Sequence, residues 1–218
     1  MQAIVRVAPG ELHAESFGAP GRLPDGRSLT LLARGRPAGS VEVGDGDGAC
    51  AADASMRPGP ARLDGSALAT DLAVAAGPPL RVPPTAAERR EMLTLLRKGT
   101  WPPVQRGTAR DAVVRIDVVP TPRQGRVVVG SSWRWSHGAP WGAFIIAERD
   151  EDGTLQPNLT IGGSADYPHA QTLVDVVDLD GDGAPEIVTL DRAPTPQYEV
   201  IQRRDRWWEG LFDSSGCR

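Results

Sequence analysis

Acidic residues recur at alternate positions in a glycine-rich segment near the C-terminus. Asp178, Asp180 and Asp182 are separated by single residues, and Glu186 follows. Carboxylates this close repel one another unless a cation neutralises them, and the glycines between them let the oxygens converge. Calcium binds about 6–8 oxygens, often with a backbone carbonyl among them, whereas magnesium keeps several waters. We therefore predict a calcium ion bound by these four side chains and the carbonyl of Ala184; the alternative is a solvated acidic turn without metal.

The residues on both sides of this acidic segment predict strands. The runs 173–177 and 187–190 are rich in β-branched residues, which favour extended backbone. An EF-hand would require helices here and a glutamate at its twelfth position, which is Thr189 in this chain. The pattern predicts a strand–loop–strand calcium hairpin and excludes an EF-hand.

The run Val176-Val177-Asp178-Leu179-Asp180-Gly181-Asp182-Gly183, continued by Glu186-Ile187-Val188, resembles the calcium loop of FG-GAP repeats, the integrin-propeller type. Those loops bind calcium in a β-hairpin between blade strands, with Asp usual where this chain has Glu186. A propeller needs roughly four to eight such blades, so one loop does not predict a complete propeller. The C-terminal third also resembles secreted bacterial proteins with a solitary loop of this kind, a likeness that supplies no activity.

A structural role for the metal follows from the predicted ligand set. If the protein fills every ligand position, no open position remains for a substrate. The bound ion would then stabilise the folded state by mass action. The other acidic turns, 45–48 and 150–153, lack this ligand pattern; the second predicts a hairpin turn.

Tryptophans and histidines give two further candidate sites. Trp133, Trp135 and Trp141 surround His137 in a chain with six tryptophans. Core packing explains these indoles best, because each buries a large area. The alternatives are ligand binding by the three tryptophans and His137, as in a carbohydrate-binding module, or a hydrolase with a Trp-lined cleft around His137, or with His169 as its histidine. Neither a zinc-hydrolase motif nor a nucleophile elbow supports an enzyme.

The two cysteines bear on the compartment. Cys50 and Cys217 are far apart and belong to no Cys-x-x-Cys pair, so we predict one long-range disulfide, with two reduced thiols as the alternative. The first seven residues lack the basic and apolar regions of a signal peptide. The chain is therefore either cytosolic or a mature secreted or periplasmic protein, and the predicted disulfide and calcium favour the second.

Composition limits the class of partner. The chain has 218 residues, a formal net charge of −4 and 40% hydrophobic residues, values typical of a globular protein. The negative charge gives no general attraction to nucleic acid, and no apolar run is long enough to span a membrane. The expected partner is an unknown protein or glycan.

A helix is predicted over 86–98, where Thr85 and Glu88 have capping-box spacing and Gly99 suits the C-terminus. Elsewhere Gly and Pro, 25 and 20 residues, separate short β-branched runs. We predict a loop over 9–27 and a short helix within 65–75. Strands are expected at 2–7, 28–34, 40–43, 112–119, 126–131, 143–148, 155–161, 173–177, 186–190 and 198–202.

These elements predict a mainly β (α+β) fold, an antiparallel meander or sandwich-like arrangement with one helix. We expect a single domain over 1–218. Its parts would be an N-terminal β part at about 1–60, a helical segment at about 65–100 and a C-terminal β meander with the calcium loop at about 108–217.

Overall fold

The structure is a computed structural model. It describes residues 2–8, 11–17, 26, 28–33, 36–46, 51–56, 67–70, 81–99, 113–122, 125–136, 139–162, 169–178, 184–191 and 197–213. The described residues are mostly antiparallel strands with a single helix, which confirms the predicted fold class. The chain divides into two compact units, Met1–Pro79 with Phe212–Arg218, and Leu80–Leu211. The expectation of a single domain stays a prediction.

The first unit contains a closed six-stranded barrel. Its strands are β1 (Gln2–Ala8), β2 (Glu11–Phe17), β3 (Ser28–Ala33), β4 (Arg36–Gly46), β5 (Ala51–Met56) and β6 (Ala67–Thr70). Their order around the barrel is β1-β2-β5-β4-β3-β6, and the pairing of β1 with β6 closes it. The register places Leu29 opposite Val41 and Leu31 opposite Ala69, and all four side chains are buried.

Two predictions for this unit are wrong. The segment 9–27, expected as a loop, contains β2, and the expected helix within 65–75 is the strand β6 over its described part. Both strands are rich in residues that favour helices locally. Their state is decided by pairing, since β2 pairs with β1 over its whole length and β6 lies between β1 and β3.

The second unit contains the helix α1 (Ala86–Gly99) and two four-stranded meanders. Sheet B has the order β10-β9-β8-β7, and sheet C has the order β11-β12-β13-β14. The strands of sheet B are β7 (Val113–Thr121), β8 (Gly125–Ser136), β9 (Ala139–Arg149) and β10 (Leu155–Gly162). Those of sheet C are β11 (Gln171–Val177), β12 (Glu186–Asp191), β13 (Gln197–Arg204) and β14 (Trp207–Asp213).

Sheet B is buried on both faces, which explains its β-branched runs. Alternate residues such as Val127 and Phe144 join Ile187 of sheet C in one core. Their neighbours, including Val128 and Ile145, form a second core with the helix residue Met92. The second unit is therefore a layered structure of helix, sheet and sheet.

The predicted capping box of α1 is present. The Thr85 amide donates to Glu88 Oε2 at 2.7 Å, and the Glu88 amide donates to Thr85 Oγ1 at 3.2 Å. This reciprocal pair satisfies two amides that the first helical turn cannot. Just before the helix, Val82 exchanges backbone hydrogen bonds with Val118 of β7 and so places the helix start beside sheet B.

Candidate functional site

The predicted calcium segment is the connection between β11 and β12. The two strands are antiparallel, and their last registered pair is Val177 opposite Glu186. Cross-strand partners lie about 4.5–5.5 Å apart, so Asp178 and Glu186 enter and leave the connection at one end of the hairpin. This is the strand–loop–strand geometry expected from the sequence.

Burial is high on the β12 side of this connection. Glu186 has 2% of its surface exposed, while Asp178 and Ala184 are half-buried. A carboxylate this deep is stable only when hydrogen bonds or a positive charge compensate for its lost water. Glu186 has an interaction partner in the structure, so its burial does not by itself require a metal. The oxygen donors of Asp178, Ala184 and Glu186 are of the type that calcium binds, and in that respect they fit the predicted ion.

The middle of the connection, 179–183, lies outside the described residues, and with it Asp180 and Asp182. Among the residues that the structure does describe, no group of three or more His, Cys, Asp and Glu could hold a metal. Those described residues include only part of the predicted ligand set. The calcium site therefore stays a prediction.

A second buried carboxylate lies near the hairpin. Asp175 is 3% exposed and is registered with Val188, two steps along the ladder from the Val177–Glu186 pair. Its Oδ1 accepts the amide of Val176 at 2.8 Å and lies 4.0 Å from the Arg81 guanidinium. Arg81 thus partly balances the negative charge at this end of sheet C.

The opposite end of the same hairpin carries a histidine–carboxylate pair. His169 Nδ1 is hydrogen-bonded to Asp191 Oδ2, and Asp191 Oδ1 accepts the amide of Ala170 at 2.9 Å. The imidazole is 42% exposed and the carboxylate is 14% exposed. His169 thus has a fixed orientation and a ring edge in solvent.

Next to this pair is a set of buried polar side chains. Gln171 Nε2 donates to Thr189 Oγ1 at 2.7 Å and makes a second, short hydrogen bond with Glu199 Oε2. Gln171 and Thr189 are 4% and 0% exposed. Gly210 leaves space for Glu199, since a Cβ there would lie 2.5 Å from Glu199 Oε1. The strand register places Gln171, a member of this polar cluster, opposite Asp191.

The tryptophan segment lies on β8 and β9 of sheet B. Trp133 is half-buried and is registered with Gly142, Trp135 with Pro140, and Trp141 with Arg134. His137 lies outside the described residues. Ligand binding by this segment, and a hydrolase cleft around His137, stay predictions.

The predicted disulfide cannot be located either, because Cys50 and Cys217 both lie outside the described residues. In the part of the chain that the structure describes, no helix is both long and apolar enough to cross a membrane.

Comparison with known proteins gives no match: no family model, no curated protein and no solved structure is significantly similar to this chain.

Sequence reasoning singled out His169 but not its partner. Asp191 is 22 residues away, and no motif links the two positions. The signal that finds Asp191 is the hairpin register, which pairs it with Gln171, two positions after His169. A register requires a hairpin with known strand pairing, and a spacing pattern does not provide it.

Proposed function

We propose that this protein is an exported binding or structural module whose β11–β12 hairpin is stabilised by one calcium ion. The ligands are the side chains of Asp178, Asp180, Asp182 and Glu186 and the carbonyl oxygen of Ala184. The ion has a structural role. It joins the edge strand β11 to its neighbour β12 at the point where their pairing ends.

One observation supports this proposal above the others. The acidic connection joins two directly paired strands, and the pairing ends at the buried Glu186. This end of the hairpin holds Asp178 and Glu186, the first and last side chains of the proposed ligand set, close together before the metal binds. That reduces the ordering required on binding, which favours a specific site over a solvated turn.

Export is the second part of the proposal and rests on different residues. A disulfide between Cys50 and Cys217 would form in the periplasm or outside the cell, where thiols are oxidised. Mass spectrometry of the intact protein, alkylated with and without prior reduction, tests this pairing. Two alkylated cysteines in protein purified from the periplasm without reductant would contradict it.

Calorimetry tests the calcium site directly. We expect protein stripped with EDTA to bind about one calcium ion per chain with measurable heat, and its melting temperature to rise with calcium concentration. At a hundredfold excess over the dissociation constant, binding adds about 2.7 kcal/mol to the free energy of unfolding. Absence of both heat and a melting shift would refute the proposal.

A further inference from the structure

The His169–Asp191 pair has the arrangement of a proton-transfer site. An ionised carboxylate only accepts hydrogen bonds, so Asp191 requires a proton on Nδ1 of His169. In the neutral imidazole the lone pair is then on Nε2. The second oxygen of Asp191 is held by the Ala170 amide, so neither group can turn without losing a hydrogen bond. We propose that His169 is the general base of a hydrolytic site and that Asp191 is its positioning residue.

The surroundings of the pair favour a site over a simple strand end. Asp191 is registered between Gln171 on β11 and Gln197 on β13. Gln171 is fixed by its hydrogen bonds with Thr189 and Glu199. A satisfied buried polar network of this kind fixes the orientation of its side chains, so the strand position opposite Asp191 is rigidly held.

The charged side chains around the His169–Asp191 pair limit the class of substrate. The described acidic groups at this end are Asp191 and Glu199. The two arginines of β13 are at the other end of that strand, about 20 Å away, and they pair with Glu148 and Glu209. An anionic substrate would be repelled here, whereas a neutral ester would not. Among neutral substrates the proposal takes a carboxylic ester, which water can hydrolyse with the help of a general base alone.

The reaction needs only water as co-reactant. His169 Nε2 accepts a proton from a water molecule as the water oxygen bonds to the acyl carbon. The ester C–O bond then breaks, and the leaving alkoxide takes the proton back from Nε2. The products are a carboxylic acid and an alcohol, and the imidazole returns to its starting state. Asp191 stabilises the imidazolium that exists between the two proton transfers.

Hydrolysis of p-nitrophenyl acetate by the full-length protein tests the site. We expect the protein to hydrolyse this ester at least ten times faster than an equal concentration of free imidazole does. His169→Gln should reduce the rate to background and Asp191→Asn about tenfold, whereas His13→Gln should leave it unchanged. Equal rates for wild type and His169→Gln, or a wild type no faster than imidazole, would overturn the proposal. Faster turnover of p-nitrophenyl phosphate than of the acetate would overturn the substrate class.

Nitrogen NMR of the wild-type ring gives a test that does not depend on whether a variant folds. At pH 8 the Nδ1 of His169 should carry the proton and Nε2 should not. In Asp191→Asn this preference should be lost, because an amide can also donate to Nδ1. If the pair were purely structural, Asp191→Asn would leave the esterase rate unaffected. A proton on Nε2 of the wild-type ring at pH 8 would contradict the proposed role.

Discussion

Arg126 on β8 forms a bidentate ion pair with Glu88 on α1, with Nε 2.7 Å from Oε1 and Nη2 2.9 Å from Oε2. The same carboxylate accepts the Thr85 amide that opens the helix. One buried side chain therefore caps α1 and attaches it to sheet B. The two sequence-local groups of the capping box could be predicted, but their partner, 38 residues further along the chain, could not.

The first prediction concerns acid stability. The hydrogen bonds from Arg126 lower the pKa of Glu88 from 4.5 to about 2. The ionised carboxylate therefore contributes its full stabilisation above pH 4.5, and this is lost as the pH falls towards 2. We expect Glu88→Gln to reduce the free energy of unfolding by about 2 kcal/mol at pH 7 and by much less at pH 2.5. The value at pH 7 is below the one that the pKa shift alone implies, because solvent screens the partly exposed Arg126.

Urea unfolding at both pH values measures this effect. The control is Glu91→Gln, which removes an exposed ion pair with Arg149 on the same helix. That change should alter stability by less than about 0.5 kcal/mol. An equal loss in the two variants at pH 7 would show that the Glu88–Arg126 pair has no special role.

The second prediction concerns the contact between the two sheets. Glu148 on β9 accepts hydrogen bonds from Arg203 Nε at 2.7 Å, Arg203 Nη2 at 2.9 Å and Trp208 Nε1 at 2.7 Å. Burial alone would raise the pKa of Glu148, but these donors outweigh it and lower the pKa. Arg203→Met leaves a half-buried carboxylate without its cation and should cost about 3 kcal/mol at pH 7.

The neighbouring arginine provides a matched control for this change. Arg204 pairs with Glu209 at 2.8 Å, and both side chains are largely exposed. Arg204→Met should therefore change thermal stability little. Since the stabilisation by Glu148 requires its ionised form, the difference between the two variants should shrink as the pH falls below the ordinary carboxyl range. A constant difference would contradict the ion-pair explanation.

The third prediction concerns Gly130 on β8, which lies directly beneath two side chains of the helix α1. A Cβ at this position would lie 2.4 Å from Met92 Sδ and 3.3 Å from Leu96 Cδ1. Gly130→Ala should therefore destabilise the protein by about 1–3 kcal/mol through overpacking. In a double-mutant cycle with Met92→Ala, the combined loss should be smaller than the sum of the single losses. Additive losses would indicate that the two residues do not contact each other.

The fourth prediction separates the calcium hairpin from ordinary acidic turns. Asp180→Asn combined with Asp182→Asn should abolish the calcium-dependent rise in melting temperature, because both changes remove charged ligands. The control, Glu151→Gln with Asp152→Asn, neutralises two exposed acids in the β9–β10 turn. That control should retain the full rise, as measured by calorimetry with calcium and with EDTA. Loss of the rise in both variants would indicate a general charge effect.

Sequence reasoning succeeded where local preference and final structure agree. The β-branched runs of β7 to β13 predicted strands that pair with their chain neighbours, and the capping box placed the start of α1. It failed for β5 (Ala51–Met56) and β6, whose alanines have weak strand preference. Those strands exist because the barrel supplies partners on both sides, which no local pattern encodes.

The candidate sites show the same division. The β-branched runs on both sides of the acidic segment predicted a hairpin, and the strands there form one. The Asp191 partner of His169 and the Arg203 partner of Glu148 depend on strand register and sheet stacking. Such contacts arise only after the chain has folded back on itself, so residue spacing contains no direct record of them.

Strand order has a consequence for synthesis on the ribosome. In the two meanders each strand pairs with the one made just before it, so hairpins can form in turn as the chain emerges. The barrel cannot close in this stepwise way, because β1 pairs with β6, the last of the six barrel strands to be made, and must wait for it. In that pairing Thr70 is registered with Gln2. At about 5–20 residues per second, that wait lasts several seconds. During this time the free edge of the first strand made is open to pairing with other nascent chains, and a chaperone would be most useful there.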